Sequence, residues 1–155
     1  MSMRDALRAI ASHACSTYPA ECCGFLFQEA AGGFRFAAVT NIAGSVQGQA
    51  TSSRSQRDGY VMDSKEQLRA LDENDRRGGA LYAIVHSHPD VGAYFSKEDK
   101  HMALGGGDEP LWPGVRYMVV SVRRGIVDAV RLYTWDASAR DFREEDIAEK
   151  PTDLA

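Results

Sequence analysis

Leu7, Ile10, Ala11 and Ala14 recur at helical spacing and predict an amphipathic helix over residues 1–18. Tyr18-Pro19 ends it, because the residue before a proline is pushed out of the α region. Residues 22–27 and 34–40 then predict two strands, joined by a hairpin turn at Ala30-Ala31-Gly32-Gly33. Residues 41–58 are rich in Gly, Ser, Gln and Arg and poor in large apolar side chains, which predicts a mobile loop. Tyr60-Val61-Met62 predicts a short strand. Ser64, with Gln67 three residues on, has the pattern of a capping box. The helix it opens would bury Leu68 and Leu71 and end at Gly78-Gly79. Residues 80–85 are almost wholly apolar, as in a buried strand. A helix over 97–104 follows, stopped by Gly105-Gly106-Gly107. Val115, Tyr117, Val119 and Ser121 then alternate onto one face of a strand. Residues 126–135 form its partner across Arg123-Arg124-Gly125. Residues 141–147, with Phe142 and Ile147 apolar, predict a last edge strand or a docked tail. The order predicts an α/β domain with one mixed central sheet flanked by helices.

A length of 155 residues fits a single domain spanning 1–155, folded to about residue 147 with a flexible tail over 148–155. The formal charge of −4 argues against nucleic acid or an anionic membrane as a partner. No apolar run approaches the roughly 18 residues of a membrane span. The 3 cysteines are odd in number, with Cys22 and Cys23 adjacent, and make a poor disulfide framework. A reducing, cytoplasmic location is expected. No Cys-x-x-Cys pair is present, so a metal site here would be of the histidine and carboxylate type.

The stretch that carries chemistry is His86-Ser87-His88-Pro89, followed by Ser96 and Asp99. Residues i and i+2 of a strand share a face, so His86 and His88 point the same way from the end of a rigid element. Two neutral imidazoles and a carboxylate are the usual ligands of a catalytic zinc that keeps a fourth position for water. The pieces also have plainer readings. Ser96 with Asp99 matches a helix capping box, and both roles are compatible, because a helix that starts at Ser96 fixes the direction of Asp99. Pro89-Asp90-Val91-Gly92 supplies a turn that brings this helix back over the histidines. Glu21 alone reads as a surface residue after a helix end. It gains interest because a hydrolase benefits from a carboxylate that takes a proton from water and passes it to the leaving amine.

Together, Glu21, His86, His88, Pro89, Ser96 and Asp99 resemble the motif of the JAMM (MPN+) zinc isopeptidases, without a gap. Pro19-x-Glu21-x-Cys23-Gly24 is similar to the local signature of short prokaryotic members, and Asn41, Tyr60 and Trp112 extend the likeness. The resemblance implies a single MPN-like domain. His86, His88 and Asp99 would hold one Zn²⁺, Glu21 would be general base and then acid, and Ser96 would hydrogen-bond the developing oxyanion. It also implies a substrate: an amide bond at the C-terminus of a ubiquitin-like or sulfur-carrier protein. The family commonly has proline before the serine, where this chain has Phe95; the geometry is expected to survive.

Rival readings meet specific objections; a zinc nucleobase deaminase, for one, lacks its Cys-x-x-Cys. A non-catalytic MPN scaffold predicts lost ligands, and none is lost. A DNA-linked role, through a related arrangement in RadC-type proteins, conflicts with the acidic charge. A thiol nucleophile at Cys22 or Cys23 conflicts with their strand setting, which sends one of them inward as a small hydrophobe. His13 and His101 lie in no motif and are expected at the surface or in a supporting layer.

Overall fold

The computed structural model describes residues 1–45 and 55–147. In chain order the elements are α1 (Met3–Thr17), β1 (Cys23–Gln28), β2 (Phe34–Val39), α2 (Ser64–Arg76), β3 (Ala80–Pro89), α3 (Lys97–Leu104), β4 (Arg116–Arg123), β5 (Ile126–Asp136) and β6 (Asp141–Glu145). The strands form one mixed sheet in the order β2-β1-β3-β4-β5-β6. Only β3 and β4 run parallel, joined through α3; every other neighbouring pair is antiparallel. The fold is α/β, as expected. The central part of the segment expected to be mobile, 46–54, and the expected tail, 148–155, lie outside the described residues.

Helices cover both faces of the sheet. Leu7, Ile10 and Ala14 of α1 pack on Leu26, Val85, Met118 and Val120. On the other face Phe25, Phe27, Ile84, Tyr117 and Val119 pack with Ala70 of α2 and Ala103 of α3. Each large apolar side chain so buried contributes roughly 1.5–3 kcal/mol. Two-sided cover corrects the expectation for the paired cysteines. Both are buried, Cys22 against the α1 layer and Cys23 against the opposite one. Alternation still separates them, but neither side of this sheet is solvent.

Local chemistry sets the helix starts. Ser2 and Asp5 cap α1 reciprocally, the Ser2 hydroxyl accepting from Asp5 N at 3.1 Å. For α2 the cap is Asp63, not Ser64: Asp63 Oδ1 accepts from Lys65 N and Glu66 N, both at 3.0 Å. A carboxylate one residue earlier meets two free amides at once. Leu68 is 60% exposed, contrary to expectation; Leu71 is half-buried, and Ala70 and Asn74 form the inner face. Glu66 instead ties α2 to the end of β2 by accepting from Thr40 N at 2.7 Å.

Tyr60-Val61-Met62 makes only a single bridge, Asn41 to Met62. The last segment is a true edge strand, β6, with Phe142 buried. Gly24 is required by close approach: a Cβ there would lie 2.5 Å from the Ala37 carbonyl oxygen and 2.7 Å from the Phe36 ring.

Candidate metal centre

Strand β3 is longer than its apolar run suggests and carries the motif within it. His86 pairs with Cys23 of β1 and Val119 of β4, and His88 pairs with Ser121 of β4. Both histidines are therefore held in a ladder, on the face that α3 covers. Asp99 approaches from the first turn of α3. Its Oδ1 is 3.2 Å from His86 Nε2 and its Oδ2 is 3.3 Å from His88 Nε2. The two Nε2 atoms are 3.2 Å apart. Three potential ligand atoms thus converge on one point.

Their hydrogen bonds make the convergence informative. His88 Nδ1 is 3.0 Å from the Gly92 carbonyl, which can only accept, so Nδ1 carries a proton and Nε2 is the nitrogen that faces Asp99 and His86. His86 is fully buried; its ring stacks on Tyr60, with centroids 4.8 Å apart, and its Nδ1 has no hydrogen-bond partner among the described residues. Burial pushes the His86 pKa down, outweighing the attraction of Asp99. For His88 burial pulls the same way, but the Asp99 and Gly92 hydrogen bonds win and its pKa is raised. Burial opposes the charge on Asp99, yet bonds from His86 and His88 hold its carboxyl well below the usual range. Ligand atoms about 2.05 Å from a shared tetrahedral ion lie about 3.3 Å apart. The two Nε2 atoms sit close to that edge and each faces its own Asp99 oxygen, all within 4.8 Å, so His86, His88 and Asp99 form a group able to hold a metal ion.

Helix capping and metal geometry use the same bonds. Asp99 N donates to Ser96 Oγ and Ser96 N donates to Asp99 Oδ2, each at 3.0 Å. The capping reading of Ser96 is therefore present in full, and it aims the carboxylate at the histidines.

A family model for prokaryotic homologues of the JAB domain matches residues 3–136. The chain belongs to this family. Among solved structures, the JAB domain is similar to a Desulfitobacterium hafniense protein, with 21% identity and a TM-score of 0.65 over 92% of this chain and 86% of that one. At that identity the likeness concerns the fold alone. A Salinibacter ruber protein has 29% identity and a TM-score of 0.60 over 95% of this chain and 90% of that one. Among curated proteins none matches.

The register of the JAB domain's sheet also places Glu21. Beyond the Cys23–His86 pair, Ser87 N donates to Cys22 O at 3.1 Å and Ser87 Oγ accepts from Cys22 N at 2.7 Å. Continuing one residue sets Glu21 opposite His88. Glu21 is 5% exposed, not the surface residue its isolated context suggested. Asn41 holds its backbone, donating from Nδ2 to Glu21 O at 3.0 Å. Glu21, His88, Ser96 and Asp99 line one cavity of about 1130 Å³. His101 reaches its rim from α3, whereas His13 is half-buried against Phe36. The Cys22 and Cys23 thiols are poor nucleophiles: burial pushes Cys22 up to about 11 and Cys23 higher still.

Ser87, Ser121 and Tyr133 contribute although the sequence reading does not single them out. Ser87 had a signal, since it lies between the histidines and must face the opposite side of the strand. The others had none. Three consecutive carbonyls of the turn after β3 are taken by side chains of three strands. Ser121 Oγ donates to Val91 O, His88 Nδ1 to Gly92 O, and Tyr133 OH to Ala93 O at 2.7 Å. Phe95 then anchors the approach to α3 within an aromatic cluster, 5.1 Å from Tyr117, 5.3 Å from Tyr133 and 4.9 Å from Phe142 by ring centroids. Burial of this ring does what a proline would do by stiffness. Phe95→Ala is expected to cost about 3–5 kcal/mol in denaturant unfolding, and a loss under 1 kcal/mol would remove the anchor role.

Proposed function

We propose that this chain is a zinc metallopeptidase that hydrolyses an amide bond at the C-terminus of a ubiquitin-like or sulfur-carrier protein. What supports the reading is one observation above all: His86 Nε2, His88 Nε2 and the Asp99 carboxylate converge within 4.8 Å of one another, with cavity space on the side where Glu21 and Ser96 stand. Three convergent acceptors repel one another unless a cation or proton sits between them. The zinc, when bound, would polarise the scissile carbonyl and acidify water.

The chain's own groups would do the rest. His86, His88 and Asp99 hold the ion in place, and the Gly92 carbonyl fixes the His88 tautomer. Glu21 takes a proton from the attacking water and delivers it to the leaving amine. Ser96 Oγ already accepts from Asp99 N, which leaves its own proton free to donate to the carbonyl oxygen as negative charge grows there. Ser96→Ala should lower turnover by about 10²–10³ with zinc still bound; an effect confined to melting temperature would reduce Ser96 to a cap.

The direct test is mass spectrometry of a carrier protein bearing a peptide beyond its terminal Gly-Gly, incubated with zinc-loaded protein. Hydrolysis that a chelator abolishes is the expected result. Binding of the adduct without hydrolysis would instead identify a non-catalytic module.

A further inference from the structure

The turn after β3, Asp90-Val91-Gly92-Ala93, orients His88 through the Gly92 carbonyl, and Asp90 is its only polar side chain. Both oxygens of that side chain are engaged. Asp90 Oδ2 accepts from the Tyr18 hydroxyl at 2.7 Å, and Oδ1 accepts from Arg124 N at 2.9 Å. The backbone is tied as well. Asp90 N donates to Val122 O at 2.7 Å, one residue past the last β3–β4 pair, and Asp90 O accepts from Arg123 Nη1 at 3.4 Å. Tyr18 caps the end of α1, three residues before Glu21, and Arg124 stands in the turn between β4 and β5. One carboxylate therefore joins three parts of the chain that are distant in sequence. Asp90 holds a φ of 60° and Arg124 one of 51°, both left-handed and neither with the freedom of glycine. Such backbone costs free energy and persists where neighbouring contacts enforce it, often beside a functional site. Here the two strained residues hold each other, side chain to amide.

We propose that Asp90 is a positioning residue of the metal centre, holding the turn so that the Gly92 carbonyl meets His88 Nδ1 and His88 Nε2 faces Asp99 and His86. This role rests on His86, His88 and Asp99 being metal ligands, as the peptidase reading has them. Asp90 acts through the two residues that follow it and not as a ligand. Gly92 has no side chain of its own to place it, so its carbonyl goes where its neighbours are held. Ser121 and Tyr133 hold the later part of the turn by accepting carbonyls, Val91 O and Ala93 O. Asp90 holds the point where the turn leaves the sheet, and bonds to a charged carboxylate are the stronger kind. Hydrogen-bond partners of a ligating histidine tune metal affinity by about 10–100-fold. Asp90 stands one step behind such a partner, which puts its expected weight at the low end.

The test reads metal binding and not turnover, with variants that separate the carboxylate from the backbone it sits on. Asp90→Gly keeps the left-handed backbone without steric cost and removes both side-chain bonds. Asp90→Asn also suits that region; its oxygen can still accept from Arg124 N, and its amide can donate to the Tyr18 oxygen. Tyr18→Phe removes one bond and keeps the ring. Arg140→Gly, at a φ of 52° just before β6, relieves the same kind of backbone strain away from the metal centre and is the control. Zinc affinity is read by competition with a fluorescent chelator, and the His88 Nδ1 proton by ¹⁵N NMR of the zinc-loaded protein. Asp90→Gly should bind zinc about tenfold more weakly, with that proton exchanging faster with water. Asp90→Asn and Arg140→Gly should match the wild type. Tyr18→Phe should weaken zinc less than Asp90→Gly does and add nothing in the Asp90→Gly background. A merely structural aspartate would lower the melting temperature of Asp90→Gly while zinc affinity and the Nδ1 proton stay at wild-type values. That result, or an Asp90→Asn protein as weak as Asp90→Gly, would overturn the positioning role and leave the peptidase reading standing. A wild type that takes up no zinc would instead overturn the ligand set on which both rest.

Discussion

Asp99→Ala is expected to retain little zinc, where the wild type is expected to hold about one per chain. The expectation follows from what the carboxylate touches. Its two oxygens face the two Nε2 atoms separately, at 3.2 and 3.3 Å. Removing it leaves two imidazoles, fewer than the three protein ligands a catalytic zinc requires. Asp99 also supports the start of α3, so loss of metal must be separated from loss of the helix. Asp99→Asn does this. Its amide oxygen can still accept from Ser96 N, and the bond from residue 99 N to Ser96 Oγ uses the backbone and survives. The Asn variant should melt close to the metal-free wild type and bind little zinc by elemental analysis. Full zinc occupancy in Asp99→Asn would take Asp99 out of the ligand set and leave it a capping residue.

Glu21→Gln should separate binding from catalysis in the opposite sense. Zinc content stays at the wild-type level, because Glu21 is not among the converging atoms. Turnover on a carrier adduct falls by about 10²–10⁴, the usual weight of a positioned general base. The amide keeps the size of the carboxylate but cannot take a proton. Folding should be little changed, since the Asn41 bond to the residue 21 backbone carbonyl survives the substitution and the amide keeps the side chain's size. Zinc loss in this variant would make Glu21 a ligand or a structural support; unchanged turnover would move the proton transfer elsewhere.

Much of the domain is legible along the chain because its signals are local. Helix α1 follows from the spacing of Leu7, Ile10 and Ala14, and α3 from Ser96 and the glycines after Leu104. The shared face of His86 and His88 follows from the two-residue repeat of a strand. Local reasoning failed where two answers were locally similar. Asp63 and Ser64 both suit a cap, and geometry favoured the carboxylate that reaches two amides. Leu68 fits a helical stripe, yet α2 is rotated so that Ala70 and Asn74 face inward. Asn74 is buried because its Nδ2 donates to Gly79 O at 3.1 Å, a bond no hydrophobic pattern announces.

The sequence by itself determined which side chains are candidates for the chemistry, and that two of them leave one strand face together. Only the tertiary structure decided that they meet. Glu21 reaches His88 through the β1–β3 register, which Ser87 locks from the far face of the sheet. Asp99 reaches both histidines because Val91, Gly92 and Ala93 surrender their carbonyls to β4, β3 and β5, and because Phe95 is buried among Tyr117, Tyr133 and Phe142. The physical reason is one of range. Periodicity and capping act within a turn or two of chain, whereas all of these contacts but His88–Gly92 join residues 22 to 65 positions apart, and their energy exists only once the sheet has brought them together.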